Sequence, residues 1–229
     1  MHGQIVIVGV GETAQIAYDY FMRDSDHNYV VAAFAVNKAH RNITTLFNVP
    51  VVDLEDLPKT HPPTVYQTFV AASSTHLNRV RAQLFKQVKD MGYTCVSYIS
   101  PRAFLGTGVK IGENCFIFED NVIQHHASIG DNVVLWSGNH IGHRTVIGRH
   151  AFISSHAVIS GFCTIGEYCF LGVNSCFADY VSIADDTVIG MGSVVVKSVT
   201  EPNKVIVGNP AKPINKTAYE LFNVQQELS

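Results

Sequence analysis

The chain has 229 residues, of which 47% are apolar and only 15% charged, and its formal net charge is −3. That balance suits a sheet-rich globular protein with a substantial core. It offers no basic block for a nucleic acid and no apolar run long enough to span a bilayer, so neither is expected as a partner. At the start, Met1-His2-Gly3-Gln4 leads straight into Ile5-Val6-Ile7-Val8, without the charged, apolar and small-residue order of a secretory signal. A cytoplasmic location is therefore expected. Residues 4–8 read as a buried strand, and Gly9-Val10-Gly11-Glu12-Thr13-Ala14 as a turn into a helix running through Ala17 and Phe21. A second strand spans 29–36 and a weaker third one lies within 64–72. A helix covers 77–91, with Leu77, Val80, Leu84 and Val88 on one face, and 95–99 returns as a strand. Strands alternating with helices predict a small parallel sheet covered by helices, ending near Pro101.

From Leu105 the period becomes six. Large apolar residues recur at Leu105, Ile111, Ile117, Ile123, Ile129, Leu135, Ile141, Ile147, Ile153, Ile159, Ile165, Leu171, Phe177, Ile183, Ile189 and Val195. Four places after each stands a mostly small residue, such as Cys115, Ala127, Thr145, Cys163, Cys169 or Ser193. A sustained short repeat implies a solenoid. Each unit supplies one short strand and one turn, the large residue points inward and the small one fits a corner. Three units close a triangular coil of eighteen residues, and successive coils stack at about 4.8 Å. The five cysteines include no CxxC pair, and three of them occupy small-residue positions, so packing in a reducing compartment explains them better than disulfides or metal binding.

The repeat resembles that of the hexapeptide-repeat acyltransferases, whose coils form a left-handed parallel β-helix. The whole chain to about Pro213 is similar to their nucleotide-sugar N-acetyltransferase and sialic acid O-acetyltransferase-like branch. The resemblance implies a Rossmann-like nucleotide-sugar-binding domain at 1–100, a β-helix acyltransferase domain at 101–213 and a helical tail at 214–229. It further implies acetyl-CoA as acyl donor, a nucleotide-linked amino sugar as acceptor and a homotrimer.

The expected site residues follow. His143, in Ile141-Gly142-His143-Arg144-Thr145, takes the place of the family's general base, and acyl transfer needs one because the attacking amine must lose a proton. His140 is a second catalytic candidate. Arg144 stands where the relatives carry a glutamate, so another group must orient the His143 ring: His140, Asn139 or a backbone carbonyl. Gly161, one coil above His143, is expected to offer its N–H to the thioester carbonyl. His156 and Asn174 stack in one column and are expected to line the donor groove. The closing segment Val207-Gly208-Asn209-Pro210-Ala211-Lys212-Pro213 resembles the family's adenosine end, with Lys197 and Lys212 as charges for phosphates. For the acceptor, Gly9, Gly11, Glu12 and Thr13 form a phosphate-binding helix start, and Asn37 and Ser73 lie at neighbouring strand ends. His125, His126 and His150 read as turn residues, and His2, His27, His40, His61 and His76 as residues of the first half without a role in the chemistry.

Three other readings remain open at this level. O-acylation of a sugar hydroxyl would use the same repeat and base. A non-catalytic nucleotide-sugar-binding module would keep the fold without turnover. A metalloenzyme of the γ-carbonic-anhydrase type would need two zinc histidines five residues apart, and no two histidines here have that spacing, so no metal is expected. NAD is disfavoured because the second strand ends in Asn37 where a dinucleotide site places an acidic residue.

Overall fold

The computed structural model describes residues 3–23 and 29–224. His2, His27 and residues 225–229 of the expected tail lie outside them. The chain divides into two compact units, Met1–Ser73 with Arg81–Tyr98, and Ser74–Val80 with Ile99–Ser229.

The first unit contains β1 (Gly3–Val8), α1 (Glu12–Arg23), β2 (Tyr29–Val36), β3 (Thr45–Leu46), β4 (Val49–Asp53), α2 (Leu57–Thr60), β5 (Tyr66–Val70) and most of α3 (Arg79–Asp90). Its sheet has the order β3-β4-β2-β1-β5, with all neighbours parallel except the β3–β4 hairpin. Sequence reading missed β4 because Pro50 argues against a strand. The proline is tolerated because it faces only the two-residue edge strand, opposite Thr45, while residues 51–53 pair with β2. Val6, Val8, Ala33, Ala35, Leu54, Leu57, Val70 and Val88 form the core. The strand expected over 95–99 is reduced to a bridge between Cys95 and Thr68 and a short strand at Tyr98–Ile99.

In the second unit the six-residue period becomes a three-faced prism. The first face carries Phe104–Leu105, Val122–Ile123, His140–Ile141, Val158–Ile159, Cys176–Phe177 and Val194–Val195. The second runs from Lys110–Ile111 to Ser182–Ile183. The third includes Phe116–Ile117 to Val188–Ile189 and continues into a closing hairpin, Lys204–Gly208 and Ala211–Thr217. Paired residues are one coil apart, as in Val122 with His140 and Ile123 with Ile141, and every pairing between coils is parallel. The inward residues from Ile117 to Val195 are all buried, whereas Leu105, on the edge strand of its face, is 41% exposed.

The corners explain the small residues. Their polar atoms satisfy carbonyls on the next coil: Cys115 Sγ reaches Gly130 O at 3.1 Å, Thr145 Oγ1 reaches Ser160 O at 2.9 Å, and Cys163 Sγ reaches Ala178 O at 3.1 Å. A buried carbonyl without such a donor would be costly. Burial pushes the Cys163 thiol up, and that of Cys169 to about 12, so both remain protonated packing groups.

Two expectations change here. Leu77, expected on the apolar face of the helix over 77–91, precedes that helix. His76, Leu77 and Asn78 make a left-handed turn with φ of 50°, 50° and 67°. Leu77 is fully buried against Val188, Val205 and Ala218, and Asn78 Nδ2 donates to Tyr168 O at 3.2 Å. Those contacts offset a conformation that L-residues otherwise avoid. The expected tail helix is shorter than 214–229: residues 214–217 extend the closing hairpin, and α4 (Ala218–Phe222) follows, started by a capping box between Thr217 and Glu220.

Candidate functional site

Each coil has three corners, and the predicted residues fall on two of them. His143 and Gly161 lie in the corner after the first face, where both are preceded by the inward residue and one more. In this column two side chains receive the backbone N–H of the residue one coil below. Thr107 N–H donates to His125 Nδ1 at 3.0 Å, and Gly161 N–H donates to Asp179 Oδ1 at 2.8 Å. His143 departs from that ladder. Its ring is exposed and turned against Gly161, where a Cβ would lie 2.5 Å from its Cε1 and 2.9 Å from both Nδ1 and Nε2. Only glycine leaves room for the ring.

Gln124 holds this ring. Its Oε1 accepts the backbone N–H of His143 at 3.0 Å and lies 3.3 Å from His143 Nδ1. A backbone N–H can only donate, so the facing Gln124 atom is the oxygen and Nδ1–H is its second donor. On that assignment the lone pair sits on Nε2, which is the form a general base requires. The ring also stands edge-on to Phe162, with centroids 4.8 Å apart. Nothing in the repeat pattern signals Gln124, because its contact depends on a one-residue offset between adjacent coils.

The three orienting groups expected from sequence do not serve. Asn139 is buried, and its side chain bonds Trp136 O and the Ala157 N–H. His140 points outward from a strand of the first face, level with Val122 and Val158. The His143 side chain meets Gln124 rather than a backbone carbonyl. Arg144 is the exposed left-handed residue of its corner, with φ 57°. The N–H of Gly161 is also committed, to the Asp179 carboxylate rather than to an open position.

His156 and Asn174 occupy the corner before the first face, both exposed and both left-handed, with φ of 60° and 57°. Beside them a cavity of about 410 Å³ is lined by Phe170, Gly172, Val173, Gly190, Met191 and Phe222. The first face separates this corner from that of His143, so one chain does not bring the two sets together. Lys197 and Lys212 are exposed, Lys212 on the closing hairpin. His125 and His126 lie in turns, and His150 is buried, bonded to Asn132 at 2.9 Å and stacked on Tyr168. His76 bonds Asn223 O at 2.7 Å.

In the first unit, Gly9, Gly11, Asn37 and Ser73 gather where the parallel strands β1, β2 and β5 end. β1 lies between β2 and β5, which makes this the switch point where sheets of this kind bind ligands. Gly9 has φ 128°, and a Cβ there would lie 2.6 Å from Ala71 O, so glycine is required. Gly11 O accepts the N–H groups of Ala14 and Gln15 and starts α1, leaving Glu12 and Thr13 in its first turn. Asn37 Oδ1 is buried with no hydrogen-bond partner among the described residues. A cavity of about 450 Å³ lies against Arg41, Asn42, Ile43, Thr44 and Thr45. Among the described residues no group of His, Cys, Asp and Glu could hold a metal ion, and no helix is long and apolar enough to cross a membrane.

Residues 108–143 and 126–161 match the family model for the bacterial transferase hexapeptide (six repeats), and 163–197 match that for the hexapeptide repeat of succinyl-transferase. No curated protein matches the chain. Among solved structures, PerB from Caulobacter crescentus, in complex with CoA and GDP-perosamine, is 27% identical with a TM-score of 0.81, over 93% of this chain and 98% of that one. The same perosamine N-acetyltransferase has been solved with these ligands after replacement of one histidine by asparagine. The acetyltransferase domain of PglB from Neisseria gonorrhoeae shares the fold at 21% identity and a TM-score of 0.79, over 92% of this chain and 99% of that one. WeeI from Acinetobacter baumannii does so at 21% identity and 0.76, with the same coverage. The chain thus carries the hexapeptide repeats of the bacterial transferases over residues 108–161 and 163–197, and over nearly its whole length it is similar to a perosamine N-acetyltransferase, as a small α/β unit followed by a left-handed parallel β-helix.

Proposed function

We propose that this protein transfers an acetyl group from acetyl-CoA to the amino group of a nucleotide-linked amino sugar, with His143 as general base. One observation carries the reading: the His143 ring stands exposed on Gly161, held through Nδ1 by Gln124 so that Nε2 is free to accept a proton. The likeness to a perosamine N-acetyltransferase over nearly the full length of both chains supports the choice of donor and acceptor.

In the reaction the acceptor nitrogen attacks the thioester carbonyl carbon while Nε2 of His143 takes the proton that the nitrogen sheds. Collapse of the tetrahedral intermediate breaks the C–S bond, and the leaving thiolate takes a proton to give free CoA and the acetamide. Gln124 keeps the ring in the correct tautomer and orientation throughout. The acceptor's nucleotide is assigned to the strand ends of the first unit, with the α1 start at Gly11, Glu12 and Thr13 toward phosphate and the unpartnered Asn37 Oδ1 toward a base or ribose donor. CoA is assigned to the cavity beside His156 and Asn174, with Lys197 and Lys212 toward its phosphates.

Because that corner and the His143 corner lie on either side of the first face, the reading requires a second copy to complete each site, and the homotrimer is proposed on that ground. Phe104 and Val158, exposed on the first face, offer apolar surface for such contact. The reaction is assigned to the cytoplasm, where CoA thioesters are available. The test is thiol release from acetyl-CoA in the presence of a panel of GDP-, UDP- and dTDP-linked amino sugars. Release with at least one of them is expected, and an His143→Ala variant that keeps full turnover would overturn the base assignment.

A further inference from the structure

The left-handed corner position recurs through the β-helix, and it is filled mostly by residues that tolerate it: Asn114, Asp120, Asn132, Asn174 and Asp186, with glycine at 108, 138 and 192. Arg144, with φ 57°, and three aromatic residues, Phe162, Tyr168 and Tyr180, with φ of 57°, 57° and 62°, break that pattern. Tyr168 has a structural reason, since the Arg79 guanidinium lies 3.6 Å above its ring. Among the described residues Phe162 and Tyr180 have no such cation over their rings and pack only on each other and on His143. Tyr180 is 70% exposed and Phe162 39%, so an unfavourable backbone conformation is combined with apolar rings left in water. The two rings are stacked, 4.9 Å apart and within 6° of parallel, and Phe162 is the ring against which His143 stands edge-on. The fold demands the left-handed corner, where the Phe162 N–H donates to His143 O and the Tyr180 N–H to Gly161 O, but it does not demand aromatic rings there; exposed rings kept at that position beside a reactive group point to a ligand contact.

We propose that the Phe162–Tyr180 stack is the seat of the acceptor's sugar ring and that it sets the amino group against His143. This rests on the acyl-transfer reading above. The choice of occupant follows from distance along each substrate. The acceptor ring carries its amine directly, so a ring on Phe162 brings that nitrogen next to His143. The adenine of CoA is separated from the thioester by the whole diphosphate and pantetheine arm, and it cannot lie within one ring's width of the base that serves that thioester. A pyranose presents a face of C–H groups to an aromatic ring, and a deoxy sugar adds a methyl group to that apolar surface. Charge agrees. Asp179, exposed in the same corner and accepting the Gly161 N–H through Oδ1, has its second carboxylate oxygen to accept an N–H of the sugar's amine, and its charge repels phosphate.

The test is steady-state kinetics with both substrates varied, on the full chain, for Phe162→Ala, Phe162→Trp and Tyr180→Ala, using the nucleotide amino sugar that wild type turns over best. Phe162→Ala should raise KM for the sugar nucleotide about tenfold, the worth of one lost ring contact. Phe162→Trp should restore it to within about threefold, with KM for acetyl-CoA unchanged in all three variants. A rise in KM for acetyl-CoA alone would assign the stack to the donor. Unchanged KM values with a lower assembly mass by light scattering would make it a subunit contact, and unchanged values of both would leave it without a role. Each of these three results overturns the proposal while leaving acetyl transfer intact. Absence of turnover by wild type with every sugar tested would instead remove the acyl-transfer reading, and the proposal with it.

Discussion

Gly161→Ala separates the fold from the chemistry more cleanly than removal of His143. A Cβ at residue 161 would lie 2.5 Å from His143 Cε1, whereas ordinary contact begins at 3.4 Å, so the ring must retreat by about 1 Å. Displacement of that size at a reacting group costs about 100-fold in rate. The backbone has no comparable objection. Gly161 is not among the residues with positive φ, so alanine is conformationally acceptable and gains about 0.4–1 kcal/mol from a less flexible unfolded chain. The exposed His143 ring is the group that yields, because only its far edge is in the way. The expected phenotype is a kcat lowered about 100-fold, an unchanged or slightly higher melting temperature, and no further loss when Gly161→Ala is added to His143→Ala. Thiol release and thermal melts on the two single variants and the double variant measure this. A Gly161→Ala enzyme within twofold of wild-type kcat would refute the placement of His143, and an unfolded variant would refute the claim that the ring can move aside.

Gln124→Ala removes the group that fixes the His143 tautomer; kcat should fall about tenfold with both KM values retained, and a fall in KM-dependent terms alone would contradict an orienting role. Arg79 and Asp186 form a largely buried ion pair at 2.5 Å, joined by the Tyr219 hydroxyl, which donates to Asp186 Oδ2 at 2.7 Å. Arg79→Met should cost about 3 kcal/mol in chemical denaturation, since it strands a buried carboxylate, and Tyr219→Phe about 1 kcal/mol. Burial holds the His61 imidazole below its ordinary value of 6.5. The unfolded chain therefore binds more protons than the folded one just below that value, so stability is full above pH 6.5 and declines as pH falls through the folded pKa; His61→Gln should flatten that part of a stability-versus-pH curve. Cys115, Cys163 and Cys169 are fully buried, with the Cys169 thiol pushed up to about 12. A thiol reagent should leave them unlabelled at neutral pH until denaturant is added.

The β-helix was legible because its period admits one solution. An inward side chain every six residues allows no other register, and Ile123, Ile141 and Ile159 stack as the spacing required. The βα pattern of the first unit was also legible, apart from the β3–β4 hairpin, where Pro50 stands opposite Thr45 and only residues 51–53 join β2. The candidate site was only half legible. Counting by coils brought His143 and Gly161 into one column, because that column repeats with the period. It did not reveal Gln124, which meets His143 from a neighbouring column, or the Asp179 carboxylate on the Gly161 N–H. It ranked His143 ahead of His140 but grouped both at one corner, whereas His140 lies on the first face and His143 at the corner after it. Leu77 misled for a different reason: its helical spacing with Val80 and Leu84 is real, yet its backbone is left-handed and its side chain belongs to another core.

The central claim is that His143 removes a proton from the amino group of a nucleotide-linked sugar as acetyl-CoA acylates it. Purified wild type and His143→Ala, incubated with acetyl-CoA and the sugar panel, should be compared by product mass and by stability of the product to hydroxylamine. The account predicts a hydroxylamine-stable acetamide from wild type, with the rate lowered at least about 100-fold in the variant. A hydroxylamine-labile ester, or an acetamide formed equally fast without His143, would contradict it.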